Sequence, residues 1–140
     1  MDKILVPVDG SDQSAKAAQW ASRLAAQLGA SLTLLHVHHV PGSEALGLNS
    51  LERSEIDQIE RRIAGPSFAK ARALMDSSVN AETLVGIGEP ADEIVALAKK
   101  HGATLIVMGT RGQSLAREIL LGSVSEKVIR HAHCAVTVVR

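Results

Sequence analysis

The sequence predicts an α/β fold with a doubly wound parallel β-sheet and helices on both faces. Short apolar runs alternate with segments of helical spacing along the chain, which is typical of repeated strand–helix units. Aromatic residues are nearly absent, with only Trp20 and Phe68 present. The core must therefore consist of Val, Leu, Ile and Ala side chains, as in parallel sheets covered by helices.

Length and composition limit the classes of protein to which this chain can belong. Its 140 residues suit one domain. Lys plus Arg and Asp plus Glu both number 15, and a formal net charge of zero argues against strong binding to nucleic acid or anionic lipid. The single cysteine, Cys134, excludes an intrachain disulfide and favours a reducing compartment. No signal peptide or membrane-spanning apolar stretch is visible, so we expect a soluble cytoplasmic protein.

Two strand candidates lie in the first 40 residues. The first is Ile4–Val8, although Pro7 within it removes a backbone donor and proline usually avoids central strands. The second is Ser31–Val37. Asp9 follows the first strand, where its carboxylate has two possible roles. It could contact a ribose hydroxyl or a phosphate-bound metal, or it could shape the turn at Gly10.

The segment Ala15–Leu28 between these strands has the spacing of an amphipathic helix. Ser11 or Asp12 can cap its start, and Gly29 is the expected C-cap. The predicted buried stripe consists of Ala17, Trp20, Ala21, Leu24 and Leu28.

A group of three histidines lies at and just beyond the end of the second strand candidate: His36, His38 and His39. His36 and His38 would share one face of the strand, which raises the possibility of a metal site. Because no Cys or acidic residue stands at a ligand spacing nearby, we expect satisfied or exposed histidines instead.

The middle of the chain predicts a loop over Val40–Ser50 and a helix from Leu51 onwards. The pair Gly65-Pro66 should end or kink this helix, which would then continue over Ser67–Asp76. The side chains expected to face inward are Ile56, Ile59, Ile63, Phe68, Ala71, Leu74 and Met75.

The second half predicts three more strands and two more helices. Ala81–Ile87 is the third strand, and Pro90 occupies the first position of the next helix. The run Leu105–Met108 is the fourth strand. Ser123–His131 then has helical spacing, and Ala135–Val139 is the fifth strand.

A glycine-rich stretch lies between the fourth strand and the last helix. Gly109 and Gly112 follow the strand directly, and Gly122 precedes Ser123 at the helix start. Glycines allow backbone N–H groups to approach an anion, and a helix N-terminus favours negative charge. With Arg111 nearby, the stretch suggests phosphate binding. The alternative is an ordinary turn followed by a helix cap, because short motifs often occur by chance.

The spacing of Gly109, Gly112 and Gly122-Ser123 resembles the ATP-binding signature of the universal stress protein family. Other segments resemble family motifs in the right order, and the similarity covers essentially the whole chain, least clearly over residues 39–76. These segments are Ile4–Ser11, Leu35–Val37, Gly86–Pro90 and Gly122–Arg130. The family often has Pro-Cys-Pro where this chain has His133-Cys134-Ala135, which affects only the turn into the last strand.

The resemblance implies a five-stranded parallel sheet of order 3-2-1-4-5 and a single nucleotide-binding domain over residues 1–140. It places Asp9 and Gly109 side by side at the carboxyl ends of the first and fourth strands, where such sheets bind ligands. Adenine would contact Val37 and Met108, the ribose would lie near Asp9, and the phosphates near the glycines. The positions implied for ATP are Pro7, Val8, Asp9, Val37, Met108, Gly109, Arg111, Gly112, Gly122, Ser123 and Val124.

The resemblance favours an ATP-binding stress-response regulator that uses ATP with Mg²⁺, although no metal ligand can be assigned. Nucleotide occupancy would control binding to a regulatory partner, such as a transporter or a kinase. The alternative is a slow ATPase or a nucleotide-dependent transferase, but no Walker lysine or evident base for water activation appears. A third possibility is a family domain that does not bind ATP, against which the intact glycines speak.

The last strand predicts a homodimer. Ala135–Val139 is β-branched and nearly uncharged, and it would lie at one end of the sheet order. Such an edge strand offers unpaired backbone groups to another chain, and a two-fold axis would close the assembly at two copies. Family dimers commonly use this strand. The alternative is a monomer with a short edge shielded by Arg140 and neighbouring helix ends.

Overall fold

The computed structural model describes residues 1–40, 52–110 and 121–140. The strands in these ranges are β1 (Lys3–Pro7), β2 (Ser31–His39), β3 (Glu82–Gly88), β4 (Leu105–Gly109) and β5 (Ala135–Val139). The helices are α1 (Asp12–Leu28), α2 (Arg53–Gln58), a π-helix (Ile59–Ala64), α3 (Gly65–Leu74), α4 (Pro90–Lys100) and α5 (Ser123–His131). The predicted loop over Val40–Ser50 lies outside these ranges except for Val40.

The five strands form one parallel sheet of order β3-β2-β1-β4-β5, which confirms the predicted fold class and strand order. Ile4 pairs with Leu32 of β2 on one side and with Leu105 of β4 on the other. The strands that follow β1 therefore add to the sheet on both sides of it: β2 and β3 lie on one side, and β4 and β5 on the other. This reversal beside β1 opens the crevice at the carboxyl edge where ligands of such sheets bind.

Each face of the sheet carries its own buried core. Alternate residues of β1 belong to different cores: Ile4 and Val6 face α1 and α3, whereas Leu5 faces α4 and α5. The first core is completed by small alanines of α1 and by Leu32, Leu34 and Val107. The second contains Leu35, Ile94, Ala98, Ile106, Met108 and Val128. The sheet is thus buried on both sides, in agreement with its continuous apolar strands.

Pro7 is accommodated because it is the last residue of β1. The N–H of Val8 donates to the Leu35 carbonyl of β2, so the nitrogen of Pro7 points the other way, towards β4. The pairing of β1 with β4 ends at Leu5 with Ile106, before Pro7 is reached. The missing donor therefore falls beyond the end of that ladder.

Helix α1 begins and ends as the sequence predicts. The Ser11 side chain accepts the Ser14 N–H at 3.1 Å, and Gly29 closes the helix with φ of 65°. The predicted stripe is wrong at Trp20 and Leu28, which are 41% and 57% exposed. The buried face is built instead of alanines and serines, and these small side chains bring the helix close to the sheet. The buried residues of α1 are Ser14, Ala15, Ala17, Ala18, Ala21, Ser22 and Ala25.

Helical structure continues through the Gly65-Pro66 pair, where an end or a kink is predicted, but its type changes there: the π-helix ends at Ala64 and α3 begins at Gly65. The chain passes from the π-helix directly into α3, and Pro66 lies in the first turn of α3, where its missing N–H is least costly. Of the side chains expected to face inward, Ala71 is buried and Phe68 packs against the first core. Ile63 is 41% exposed, because the π-helix changes the angular spacing on which the prediction rested. Leu74, the last residue of α3, is 42% exposed.

Candidate functional site

The carboxyl end of β4 lies directly against the first turn of α1. A Cβ atom at Gly109 would stand 3.0 Å from the Gln13 Cβ and 3.1 Å from the Gln13 carbonyl carbon and oxygen. The Thr110 hydroxyl lies 3.5 Å from Oε1 of Gln13. This contact brings the turn after β1 and the segment after β4 together at the switch point of the sheet.

The start of α5 is fixed to the same place by backbone and hydroxyl groups. The Gly122 N–H donates to the Thr110 carbonyl. Ser125 is buried, and its hydroxyl reaches the Gly109 carbonyl at 2.8 Å and the Thr110 carbonyl at 3.2 Å. The N-terminus of α5 is thereby held at the carboxyl edge of β4.

The N-terminus of α5 has the chemistry of an anion site. Its N-cap is Gly122, which has no side chain to accept an N–H of the first turn. The first N–H groups of a helix have no partner within that helix, and its dipole is positive at this end. Ser123 is exposed and adds a hydroxyl. A phosphate is the type of group that such an arrangement binds.

Asp9 does shape the turn after β1, one of its two predicted roles. Its Oδ1 accepts the Ser11 N–H at 2.9 Å, and its own N–H donates to the Ser14 hydroxyl at 3.3 Å. Gly10 has φ of 85°, a conformation that favours glycine, and its Cα faces the Ser67 hydroxyl of α3. Asp9 is nevertheless exposed, and a carboxylate can accept several hydrogen bonds. A second role towards a ligand is compatible with this geometry.

His36 is a satisfied buried histidine, as expected. It is 8% exposed, its Nδ1 lies 3.0 Å from the Val8 carbonyl oxygen, and its ring meets Phe68 edge-on. Burial lowers the pKa of His36 below its ordinary value of 6.5, and His38 lowers it further, while the Val8 carbonyl and Asp9 act in the opposite direction. Within the described ranges, no group of three His, Cys, Asp or Glu side chains could hold a metal ion.

The remaining predicted site residues are divided between the two faces of the sheet. Val37, Met108 and Val124 belong to the core beneath α4 and α5, whereas Val8 belongs to the core beneath α1 and α3. Met108 is 5% exposed, and Val37 is only partly buried. Arg111 and Gly112 lie outside the described residues.

A shallow cavity of about 160 Å³ lies between α4 and α5. None of the predicted nucleotide-binding residues lines it. Its lining residues are Ala91, Asp92, Val95, Ala96, Lys127 and His131.

The universal stress protein family matches residues 1–140 of this sequence. The chain belongs to the universal stress protein family. It is 41% identical to universal stress protein YxiE of Bacillus subtilis over 147 aligned residues, with 99% of both chains covered.

Two solved structures of similar proteins support the same fold. The structure of protein MJ0577, solved for structure-based assignment of its biochemical function, has a TM-score of 0.77 and 28% identity, covering 99% of this chain and 94% of the other. A universal stress protein solved in complex with cAMP has a TM-score of 0.71 and 26% identity, covering 99% and 97%. In the described parts of this universal stress protein, no helix has the length and apolar character to span a membrane.

Sequence reasoning missed three residues that build the site of this universal stress protein. Gln13, Thr110 and Ser125 join α1, β4 and α5, yet each is a common polar residue without a distinctive spacing. Only Ser125 could have been found from the sequence, because a serine at a buried position of an amphipathic helix needs a hydrogen-bond partner.

Replacing Gly109 by alanine should lower the free energy of unfolding of this universal stress protein by about 2 kcal/mol. The new Cβ would meet α1 backbone, which cannot rotate away. Gly29→Ala is the matched control, because Gly29 has φ of 65° but no atom within 4 Å of a Cβ. Its cost is backbone strain alone, about 1 kcal/mol. Urea denaturation measures both, and a smaller loss for Gly109→Ala than for Gly29→Ala would contradict the steric explanation.

Proposed function

We propose that this protein is an ATP-binding stress-response regulator whose nucleotide occupancy controls its interaction with partner proteins. Residues 1–140 would act as one nucleotide-binding domain of the ATP-binding branch of the family. The observation that carries the proposal is the N-terminus of α5, held at the switch point of the sheet with glycine as its cap. A similar universal stress protein that was solved in complex with cAMP supports nucleotide as the ligand class.

The phosphates are proposed to lie over the start of α5. Gly122, Ser123 and Val124 would present backbone N–H groups, and the Ser123 hydroxyl would add a further donor. Gly109 would form the floor of this part of the site, where its lack of a side chain also admits α1. Arg111 and Gly112 complete the proposed phosphate-binding set by their position in the signature.

The nucleoside is proposed to lie across the ends of β1 and β2. Asp9 would accept a ribose hydroxyl while it continues to hold the Ser11 N–H. Pro7 and Val8 would contribute backbone beside it. Val37 would contact adenine from its partly buried position, with Met108 behind it in the same core. Mg²⁺ would accompany the phosphates, and we assign it no protein ligand.

The protein is also proposed to form a homodimer through β5. This strand pairs only with β4 among the described strands and therefore forms one edge of the sheet. Val138 is 36% exposed on that edge. Pairing with a second copy would satisfy the outward-facing backbone groups of the strand. The regulatory partner, such as a transporter or a kinase, would then meet a two-fold symmetric assembly.

Titration calorimetry with ATP and Mg²⁺ tests the proposed function. We expect ATP to bind and GTP to bind more weakly, a preference that the family resemblance implies and that no base-reading side chain of the sequence supplies. Phosphate release measured on the same samples should be far slower than about 1 per second, the low end of ordinary turnover. No ATP binding, or equal GTP binding, would overturn the proposal. Fast Mg²⁺-dependent turnover would favour an ATPase or transferase instead.

A further inference from the structure

The buried imidazole of His36 is placed where the pairing of β1 with β2 stops. The ladder between these strands runs to Pro7 opposite Leu35. At the next position, the Val8 N–H still donates to the Leu35 carbonyl at 2.7 Å, but the Val8 carbonyl lies 3.0 Å from Nδ1 of His36. A carbonyl oxygen can only accept, so Nδ1 must carry the proton. A side chain thus replaces the backbone as the last donor of the ladder.

The Val8 carbonyl belongs to the peptide that leads directly into Asp9. Asp9 in turn fixes the turn through the Ser11 N–H on its carboxylate and through its own N–H on the Ser14 hydroxyl. The orientation of this peptide therefore sets the starting direction of the whole Asp9–Ser11 turn. Because backbone polar groups at such a turn need partners, a defined donor at Val8 restricts how the peptide can rotate.

The imidazole of His36 also contacts α3. The Phe68 ring of α3 meets it edge-on, with ring centroids 6.4 Å apart and an interplanar angle of 81°. Phe68 packs against the first core, and the adjacent Ser67 is buried next to Gly10. The imidazole thus lies between α3 and the end of β1, with its hydrogen bond directed towards the turn.

We infer that His36 is a positioning residue that fixes the Asp9–Ser11 turn by donating its Nδ1–H to the Val8 carbonyl, and thereby places Asp9 for the nucleotide. The second part rests on the proposed function. A histidine that merely fills the core would be replaceable by an apolar side chain of similar volume without effect on the turn. A positioning histidine can be replaced only by a side chain that keeps the donor.

Two variants and one control separate these possibilities. His36→Leu fills the space but removes the donor, whereas His36→Asn places an amide N–H₂ near the position of Nδ1. Leu32→Val is the matched control, since Leu32 lies on the same strand and in the core on the same face, but at the amino end. It removes a buried methylene far from the turn.

We expect His36→Leu to weaken ATP binding about fivefold, consistent with the loss of one hydrogen bond. His36→Asn should bind within about twofold of the wild type, and Leu32→Val should bind ATP unchanged despite its lower stability. Amide exchange by NMR should show faster exchange of the Asp9 and Ser11 N–H groups in His36→Leu, restored in His36→Asn. Equal exchange in the wild type and His36→Leu would overturn the inference.

The wild-type protein provides a further readout that needs no variant. Nitrogen-15 NMR of the neutral imidazole should show the proton on Nδ1, the form that its hydrogen bond selects. A proton on Nε2 alone would overturn the inference.

If the wild type binds no ATP, the proposed function fails, and the exchange and tautomer measurements still decide whether His36 fixes the turn. If ATP binds and His36→Leu binds it equally, only the placement of Asp9 by His36 fails.

Discussion

Replacing Gly122 by valine should reduce ATP affinity by more than about a hundredfold, or roughly 3 kcal/mol, while the protein stays folded. A branched side chain at the N-cap would block approach of phosphate to the N–H groups of Ser123 and Val124. Hydrogen bonds to charged groups contribute about 1.5–3 kcal/mol each, so the loss of two accounts for this magnitude. Titration calorimetry gives the affinity, and circular dichroism reports whether the fold is retained.

The conformation of Gly122 shows that backbone strain does not contribute to this effect. Its φ of −72° and ψ of 166° are ordinary extended values that valine adopts readily, so no positive φ is required there. The effect must therefore come from the blocked approach to the anion site. Ser123→Ala is the milder comparison and should cost about 1 kcal/mol, because it removes only one hydrogen bond. If Gly122→Val binds ATP with wild-type affinity, the phosphates do not bind at the N-terminus of α5.

The second large effect is expected for Val138→Pro, which should convert a dimer into a monomer at micromolar concentration. The Thr110 N–H donates to the Val139 carbonyl, so the backbone groups of Val139 face β4. Neighbouring residues of a strand direct these groups to opposite sides, and those of Val138 therefore face outward. Proline at this position removes a donor from the edge and leaves the pairing with β4 intact.

Light scattering of the wild type and two variants decides this prediction. Val138→Ala keeps the N–H and should remain dimeric, which separates loss of the donor from loss of the side chain. Each copy of Val138→Pro leaves a carbonyl of its partner without a donor, at about 1–3 kcal/mol per site. The two sites of a symmetric dimer together should raise the dissociation constant at least thirtyfold. A monomeric wild type, or a folded and dimeric Val138→Pro, would show that β5 is not the interface.

The sequence was informative about the fold wherever local chemistry decides an element. Ser11 and Gly29 mark the ends of α1 through capping, and Pro90 marks the start of α4. The sequence was misleading where the distance between a helix and the sheet determines which side chains are buried. Trp20 and Leu28 lie on the predicted stripe, but alanines allow α1 to approach the sheet and leave the larger residues at its margins. The π-helix could not be predicted either, because it changes the periodicity from which buried faces are read.

For the candidate site, the sequence indicated which segments come together, but not the contacts that join them. The glycine signature predicts that α5 begins near the end of β4. It does not predict the buried Ser125 hydroxyl, which holds the start of α5 there. The phosphate role predicted for Gly109 stays a prediction, whereas the structure shows a different reason for glycine there, the contact with Gln13. Such contacts join residues about 100 positions apart, and no local pattern in a single sequence records them.

The central position of β1 has a consequence for how the protein is made. Its two neighbours in the sheet are synthesised at very different times. Strand β2 follows β1 after one helix, whereas β4 comes much later: Thr104, the residue before β4, contacts Lys3 from 101 positions further along the chain. At a translation rate of about 5–20 residues per second, the edge of β1 that pairs with β4 stays unpaired for several seconds during synthesis. During that interval the growing chain exposes an apolar strand edge that can recruit other nascent chains. Chaperone dependence should therefore be greatest before residue 105 emerges.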